Sequence, residues 1–285
     1  MIQPGSDHTR RASLPPTRKA PRLAAGRARA LGLPTRGTTN ANRLRRVDRW
    51  ILATQLPRLR DSARPLVVDL GYGSSAVTTL ELVERLGPEV DRLEVVGLEI
   101  DPARVTAVAD DRDPPRVDFR VGGFELAGLQ PVLVRAFNVL RQYDEASAAQ
   151  AWGTMRAALG PGGVIVEGTC DEWGRRSAWI TLDADGALTL TLATRVSDIE
   201  TPSDLAERLP KALIHHNVPG QPIHEFLRAF DTAWAAAAGL STFGPRQRWV
   251  AAVESLADQG WPLVGSTRRW RHGEVSVRWS AVAPV

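Results

Sequence analysis

Two glycines at the end of a short apolar segment are the first residues in the chain that could do chemistry. The segment reads VVDLGYGS over residues 67–74, and apolar residues recur every three or four positions from Ser75 to Leu86. This pattern predicts a buried strand, a tight turn at Gly71 and Gly73, and a helix. Such a turn lets the backbone approach a ligand closely, and the free N–H groups at the helix start favour negative charge. The spacing therefore predicts a ligand site.

Two acidic residues indicate which class of ligand this site would bind. Residues 71–76 also satisfy the G-x-G-x-x-[GA] pattern of dinucleotide-binding proteins, so a nicotinamide-dependent (NAD or NADP) oxidoreductase is one interpretation. However, Asp69 would repel a pyrophosphate and suits an ammonium group. Glu99 ends the next predicted strand, residues 93–100, where a carboxylate can accept hydrogen bonds from ribose hydroxyls. A purely structural turn is the remaining alternative.

Asp69, the two glycines and Glu99 together resemble the class I S-adenosylmethionine-dependent methyltransferases, and so does the stretch LGPGGVIVEG at 159–168. The resemblance covers residues 64–168 well and 245–282 loosely. It implies an α/β fold with a doubly wound, mostly parallel seven-stranded sheet, a Rossmann-like architecture. It also implies S-adenosyl-L-methionine as the cofactor and methyl transfer as the reaction.

The resemblance places the cofactor along the ends of the first four strands. Its expected contacts are Asp69, Gly71, Tyr72, Gly73, Ser74, Glu99, Ile100, Gly123, Phe124 and Asn138. Asp69 would help to hold the ammonium group, Glu99 the ribose, and Ile100 the adenine. The acid that often follows the third strand in the family is missing here, where the chain reads Gly122-Gly123-Phe124-Glu125.

Methyl transfer from a sulfonium depends mainly on alignment, so the chain needs few catalytic groups. Asn138 is expected to orient the acceptor or cofactor, and Arg135 to bind an anionic substrate or to pair with Glu167 or Asp171. Asp171 is expected to act as a base or to cap a turn. The candidate substrate contacts are Thr38, Thr39, Tyr143 and His215.

Charge is distributed unevenly along the chain. Residues 1–60 hold 14 of the 36 basic residues and two of the 32 acidic ones. Residues 1–35 also contain five prolines and no periodicity, which predicts a disordered basic arm. Such an arm suits RNA or DNA, so a non-catalytic nucleic-acid-binding protein is a third interpretation. The excess of arginine over two lysines is also typical of GC-rich, actinobacterial-type bacterial genomes, and then the arm needs no partner. The methyl acceptor stays open between small molecule, RNA and protein.

Composition argues against several classes of protein. One cysteine and five scattered histidines predict no metal site and no disulfide framework. No apolar run reaches the roughly 18 residues of a membrane span, and arginines interrupt every N-terminal apolar run. We therefore expect a cytoplasmic protein without a membrane contact.

The remaining elements predict the domain organisation. Strands at 116–121, 131–137 and 164–168 alternate with helices, which indicates a parallel sheet. We expect residues 36–170 and 244–285 to form the methyltransferase core, with strands at 261–270 and 274–282 closing the sheet. Residues 171–243, with a β-hairpin at 177–193 and further helices, are expected to form a lid over the substrate.

Overall fold

The computed structural model describes residues 39–285, so the predicted basic arm and Thr38 lie outside the described residues. The strands are β1 (Leu66–Leu70), β2 (Glu94–Glu99), β3 (Val117–Val121), β4 (Leu133–Phe137), β5 (Val164–Cys170), β6 (Arg176–Leu182), β7 (Ala187–Thr194), β8 (Leu263–Val264) and β9 (Glu274–Arg278). The α-helices are α1 (Arg45–Asp61), α2 (Val77–Leu86), α3 (Pro102–Ala107), α4 (Glu145–Ala157), α5 (Lys211–Ile214), α6 (Pro222–Ala236), α7 (Pro245–Asp258) and α8 (Thr267–Trp270).

One sheet runs through the molecule in the order β3-β2-β1-β4-β5-β6-β7-β9-β8. The strands from β3 to β5 are parallel, and the pairs from β5 to β8 are antiparallel. The chain reverses its direction of winding between β1 and β4, whose carboxyl ends therefore border a crevice. This is where open α/β sheets bind ligands, and it is where the Gly71–Gly73 turn follows β1.

Apolar side chains cover both faces of the sheet, which confirms the predicted doubly wound α/β fold. One face packs against α1 and α2 through residues such as Val47, Ile51 and Leu82. The other packs against α4, α6 and α7, with Met155, Phe226 and Trp249 in its interior. Side chains alternate along β1: Leu66, Val68 and Leu70 face α4, α6 and α7, and Val67 faces α1 and α2.

The sheet has nine strands rather than the predicted seven. The predicted hairpin forms, but it lies within the sheet: β6 pairs with β5, and β7 pairs with β9. All seven residues of β6 except the first are buried, and so are the last five residues of β7, so both faces of this hairpin are covered except near Ala187. The first part of the predicted lid is therefore core. The helical part that follows packs on the sheet and reaches the carboxyl edge at Glu207, and a lid role for it stays a prediction.

The predicted strand at 261–270 is wrong for most of its length. It pairs with β9 at Leu263 and Val264, then Gly265 takes a φ of +90° and turns the chain. The Ser266 side chain next accepts a hydrogen bond from the Arg268 N–H and starts α8. The turn at Gly265 and the helix cap at Ser266 thus end the strand early.

No helix among residues 39–285 is both long and apolar enough to cross a membrane.

Candidate functional site

The glycine turn takes a conformation that favours glycine at both positions. Gly71 has a φ of +72° and Gly73 a φ of +91°, in the left-handed region that side chains disfavour. The Gly71 N–H donates to Leu98 O on β2 at 2.7 Å. The Gly73 N–H donates to Oε2 of Glu99 at 3.2 Å. The structure therefore brings the predicted turn and the predicted ribose-binding acid into direct contact.

Glu99 is enclosed by hydrogen-bond donors. Its Oε1 accepts from the Ile100 N–H at 2.9 Å and from the Asp101 N–H at 3.4 Å. Its Oε2 also faces the Arg104 guanidinium at 3.2 Å, and the residue is 4% exposed. Arg104 was missed by the sequence analysis. The available signal was Asp101-Pro102, which starts a helix at the strand end and so places Arg104 above Glu99.

Asp69 does not lie open to an ammonium group, which corrects that expectation. Its carboxylate accepts hydrogen bonds from Arg135 Nε at 2.9 Å and Nη2 at 2.7 Å, and from Thr79 Oγ1 at 2.6 Å. All of these groups are buried below the turn. The Asp69 carboxylate therefore belongs to the interior network rather than to the crevice.

Arg135 is likewise an interior residue and not a substrate contact. It is fully buried, and besides Asp69 it contacts Asp48 on α1 and donates to the Thr78 carbonyl at 2.9 Å. Within residues 39–285 it pairs with neither Glu167 nor Asp171, the two partners expected from the sequence. Burial by itself lowers the pKa of the Arg135 guanidinium, but the carboxylates of Asp48 and Asp69 raise it above its usual value. Arg135 is therefore a permanent cation that joins α1, β1 and β4.

Ile100, Gly123, Phe124 and Tyr143 come together beside Glu99. A Cβ on Gly123 would lie 3.6 Å from Ile100 Cγ2, and the Gly123 N–H donates to Glu125 Oε1 at 2.9 Å. The Phe124 and Tyr143 rings meet edge to face at 5.3 Å. Burial, and then the charge of Glu99, raise the pKa of Tyr143. An apolar and aromatic border thus follows the acid, as an adenine contact requires.

Tyr72 turns its side chain away from this border. The ring packs against Phe119 at 5.2 Å, and burial followed by the Glu99 charge raises its pKa. Tyr72 can therefore meet a ligand with its backbone and not with its hydroxyl. Its carbonyl accepts a hydrogen bond from Thr39 Oγ1 at 2.9 Å, so the segment before α1 lies at the turn, as predicted.

Asn138 and Val139, which follow β4, contact neighbouring parts of the carboxyl edge of the sheet. Asn138 has a φ of +62°, and its side chain accepts from the Cys170 N–H at 3.0 Å and donates to Cys170 Sγ at 3.3 Å. Val139, which the sequence analysis missed, lies against the turn, because a Cβ on Gly71 would be 2.6 Å from its Cγ2. Asn138 joins the ends of β4 and β5, and its role in orienting an acceptor stays a prediction.

Asp171 caps a turn, the second of its two expected roles. Its Oδ1 accepts from the N–H groups of Trp173 and Arg175 at 3.0 and 2.9 Å, and its Oδ2 accepts from Arg176 at 3.0 Å. Three backbone donors therefore hold the carboxylate that was predicted as a base. They do not leave it directed at a substrate.

His215 lies on the surface beside α5. Its Nε2 is 3.1 Å from Lys211 Nζ, and among the described residues no hydrogen bond joins it to the glycine turn. Substrate binding by His215 therefore stays a prediction without a contact at the crevice.

Ser74 is exposed at the turn itself. Among residues 39–285, no group of three or more histidine, cysteine or acidic side chains is placed to hold a metal ion.

No protein-family model and no curated protein sequence matches the chain. Solved structures match parts of it. LepI in complex with S-adenosylhomocysteine (SAH) is 15% identical over 41% of this chain and 30% of that one, with a TM-score of 0.35. Magnesium protoporphyrin IX methyltransferase (ChlM) from Synechocystis PCC 6803, with bound SAH, is 15% identical over 45% and 54%, with a TM-score of 0.33. The cyclopropane synthase MmaA2 from Mycobacterium tuberculosis is 21% identical over 46% and 48%, with a TM-score of 0.34.

The chain thus spans between about a third and a half of the length of these proteins. Similarity of this extent supports no inference about the substrate or the reaction.

Proposed function

We propose that the protein is an S-adenosylmethionine-dependent methyltransferase. One observation carries the proposal: the turn at Gly71 and Gly73 meets the strand-ending carboxylate of Glu99, at the point where the sheet changes its winding direction. In a nucleotide-like ligand, a carboxylate at this place accepts hydrogen bonds from both ribose hydroxyls. A dinucleotide would use the same acid, so the proposal needs a direct test against NAD and NADP.

The residues fit the nucleoside part of the cofactor better than its amino-acid part. Glu99 would hold the ribose, and Ile100 with Phe124 would border the adenine. Arg104 would have to give up its contact with Glu99 Oε2 at 3.2 Å when the hydroxyls bind. The backbone at Gly71 and Gly73 would hold the amino-acid part, since the Asp69 carboxylate is engaged by Arg135.

The bound cofactor would supply a methyl group on a sulfonium, an activated carbon with a neutral leaving group. This chain would then contribute alignment of the acceptor and exclusion of water. Asn138 and Tyr143 flank the end of β4 and are the side chains we propose to border the acceptor. The basic segment before residue 39 is proposed to bring in an anionic acceptor such as RNA, a role that its sequence charge supports.

Calorimetric titration with SAH tests the proposal. We expect the wild-type protein to bind SAH, and Glu99→Gln to lose about tenfold or more in affinity, because a charged acceptor becomes a neutral one. Glu94→Gln is the matched control, since Glu94 starts the same strand at its far end and pairs with Arg64. Absence of SAH binding, or binding of NAD or NADP in its place, would overturn the proposal. Incubation of cell extract with labelled cofactor would then identify the acceptor class.

A further inference from the structure

A cavity of about 220 Å³ lies between α1 and the antiparallel half of the sheet. Trp50 and Arg58 of α1 form one wall, and Thr181 of β6 forms part of the floor. Leu188 of β7 and Trp270 of α8 lie at its sides. This cavity is distinct from the Gly71–Gly73 crevice: β7 is four strands away from β1, about 19 Å at ordinary strand spacing.

The size and apolar walls of the cavity suit an aromatic ring. An apolar cavity of about 150 Å³ is enough to bind benzene, so this one can take one ring or two fused rings. Trp50 is buried and fixed by an edge-to-face contact with Trp179 at 5.4 Å. The wall is therefore preformed, which lowers the entropic cost of binding a flat ligand.

A polar anchor lies in the same cavity. Thr181 is 5% exposed, and its Oγ1 has no hydrogen-bond partner among the described residues. Buried hydroxyl groups are almost always hydrogen-bonded, because losing water without a replacement costs free energy. The hydroxyls of Thr191 and Ser276 on the same sheet face do pair with each other, at 2.7 Å. Thr181 is thus a buried, unpaired hydroxyl in the lining of this cavity, where a ligand atom would complete its hydrogen bonding.

The charges around the cavity favour an anion. Glu274 is bound by Arg269 at 2.7 Å, so these two charges offset each other. Arg58 instead donates to neutral partners, the Gln55 side chain at 3.3 Å and the Gly162 carbonyl. Arg49 lies near Arg269, and burial followed by repulsion from neighbouring arginines lowers its pKa. Residues 39–285 hold 28 basic and 31 acidic residues, so this local excess of positive charge departs from the charge of the whole body.

We propose that this cavity binds a small planar aromatic ligand that carries an anionic group. The ring lies against Trp50 and Leu188, a polar ring atom meets the Thr181 hydroxyl, and the anionic group faces Arg58. The site does not depend on the proposed methyl transfer, because its residues and those of the glycine turn are separate sets.

Fluorescence titration of the full chain with two aromatic dyes tests the proposal. The anion quinoline-5-sulfonate has two fused rings and a polar ring nitrogen, and the neutral quinoline-5-sulfonamide has the same rings. We expect saturable 1:1 binding of the anion, about tenfold tighter than that of the neutral dye. Equal binding of both dyes, or binding without saturation, would overturn the proposed anion preference.

Four variants locate the binding site. Arg58→Gln is expected to weaken binding of the anionic dye by about tenfold and to leave the neutral dye unchanged. Thr181→Val is expected to weaken the anionic dye about threefold to tenfold, the value of one neutral hydrogen bond. Leu188→Trp should fill the cavity and block both dyes, and Leu188 is 40% exposed, so the larger ring has room.

Arg60→Gln is the matched control, since Arg60 lies on the same helix, outside the cavity lining, and pairs with Glu89. If the anionic dye binds Arg58→Gln, Thr181→Val, Leu188→Trp and the wild type alike, the site is not this cavity. Circular dichroism of each variant confirms its fold. Simultaneous titration with SAH should leave dye binding unchanged, which separates this site from the glycine turn.

Discussion

Arg135 and Asp69 lie directly opposite each other on the neighbouring strands β4 and β1 and share two hydrogen bonds in the interior of the protein. Asp48 from α1 completes a buried group with one positive and two negative charges. Arg85 reaches the same Asp48 from α2 at 2.7 Å, so both cations and both acids stabilise the layer that supports the glycine turn.

Removal of the central cation should therefore be costly. Arg135→Met leaves the buried Asp69 without its charged partner and Asp48 with Arg85 alone, and we expect the free energy of unfolding to fall by about 3–5 kcal/mol. Urea denaturation measures this loss of free energy of unfolding. Arg60→Gln, which breaks an exposed ion pair with Glu89, should cost about 1 kcal/mol or less. A loss of similar size in both variants would contradict this role for Arg135.

Glu167 makes stability dependent on pH. It is 1% exposed, and burial raises its pKa to about 8, with the neighbouring Trp152 side chain offsetting part of the rise. Between an unfolded pKa of about 4.5 and this value, the folded state keeps a proton that the unfolded state has lost. Stability from this group is therefore greatest at low pH and falls as pH rises through that window, by at most about 1.4 kcal/mol per pH unit.

Glu167→Gln should remove this part of the pH dependence, because the amide does not titrate. We expect the free energy of unfolding of Glu167→Gln, taken relative to that of the wild type, to be higher at pH 8 than at pH 5. Urea unfolding at both pH values measures this difference. Glu172→Gln, in the exposed turn between β5 and β6, provides the comparison. Parallel pH profiles for the wild type and Glu167→Gln would show that Glu167 is ionised in the folded protein.

Gly71 combines a positive φ with a close neighbour. Gly71→Ala would place its Cβ 2.6 Å from Val139 Cγ2 and force an L side chain into the left-handed region, which costs about 1–2 kcal/mol by itself. We expect a lower melting temperature and loss of SAH binding. The double variant Gly71→Ala/Val139→Ala should recover the part of the loss caused by the clash and not the backbone part. No recovery at all would mean that the clash contributes nothing.

Asp171 should matter for stability more than for chemistry. Asp171→Ala removes the acceptor for three backbone N–H groups of the turn between β5 and β6, and we expect a loss of about 1–3 kcal/mol with faster proteolysis at this turn. Glu172→Ala, its exposed neighbour, is expected to be neutral. If methyl transfer is detected, its pH profile should be the same in wild type and Asp171→Ala. If one side of this pH profile is lost in Asp171→Ala, Asp171 is instead the base.

The sequence by itself determined the elements whose signals are local. The glycine turn and the strand-ending Glu99 each depend on residues a few positions apart, and the structure confirms the turn. The parallel arrangement of β1 to β5 followed from the alternation of strands and helices. The hairpin of β6 and β7 was also predictable, because its two strands pair across a short turn.

Only the tertiary structure decided which distant groups meet. Asp69 and Arg135 are 66 residues apart and Asp48 and Arg135 are 87 apart, so their pairing depends on the order of strands and the placement of α1. The same holds for β6 beside β5, for β7 beside β9, and for the cavity that α1 encloses with them. A local pattern states that a side chain is buried or that a strand forms. The partner of a buried charge, or of a strand edge, is set by packing of the whole chain.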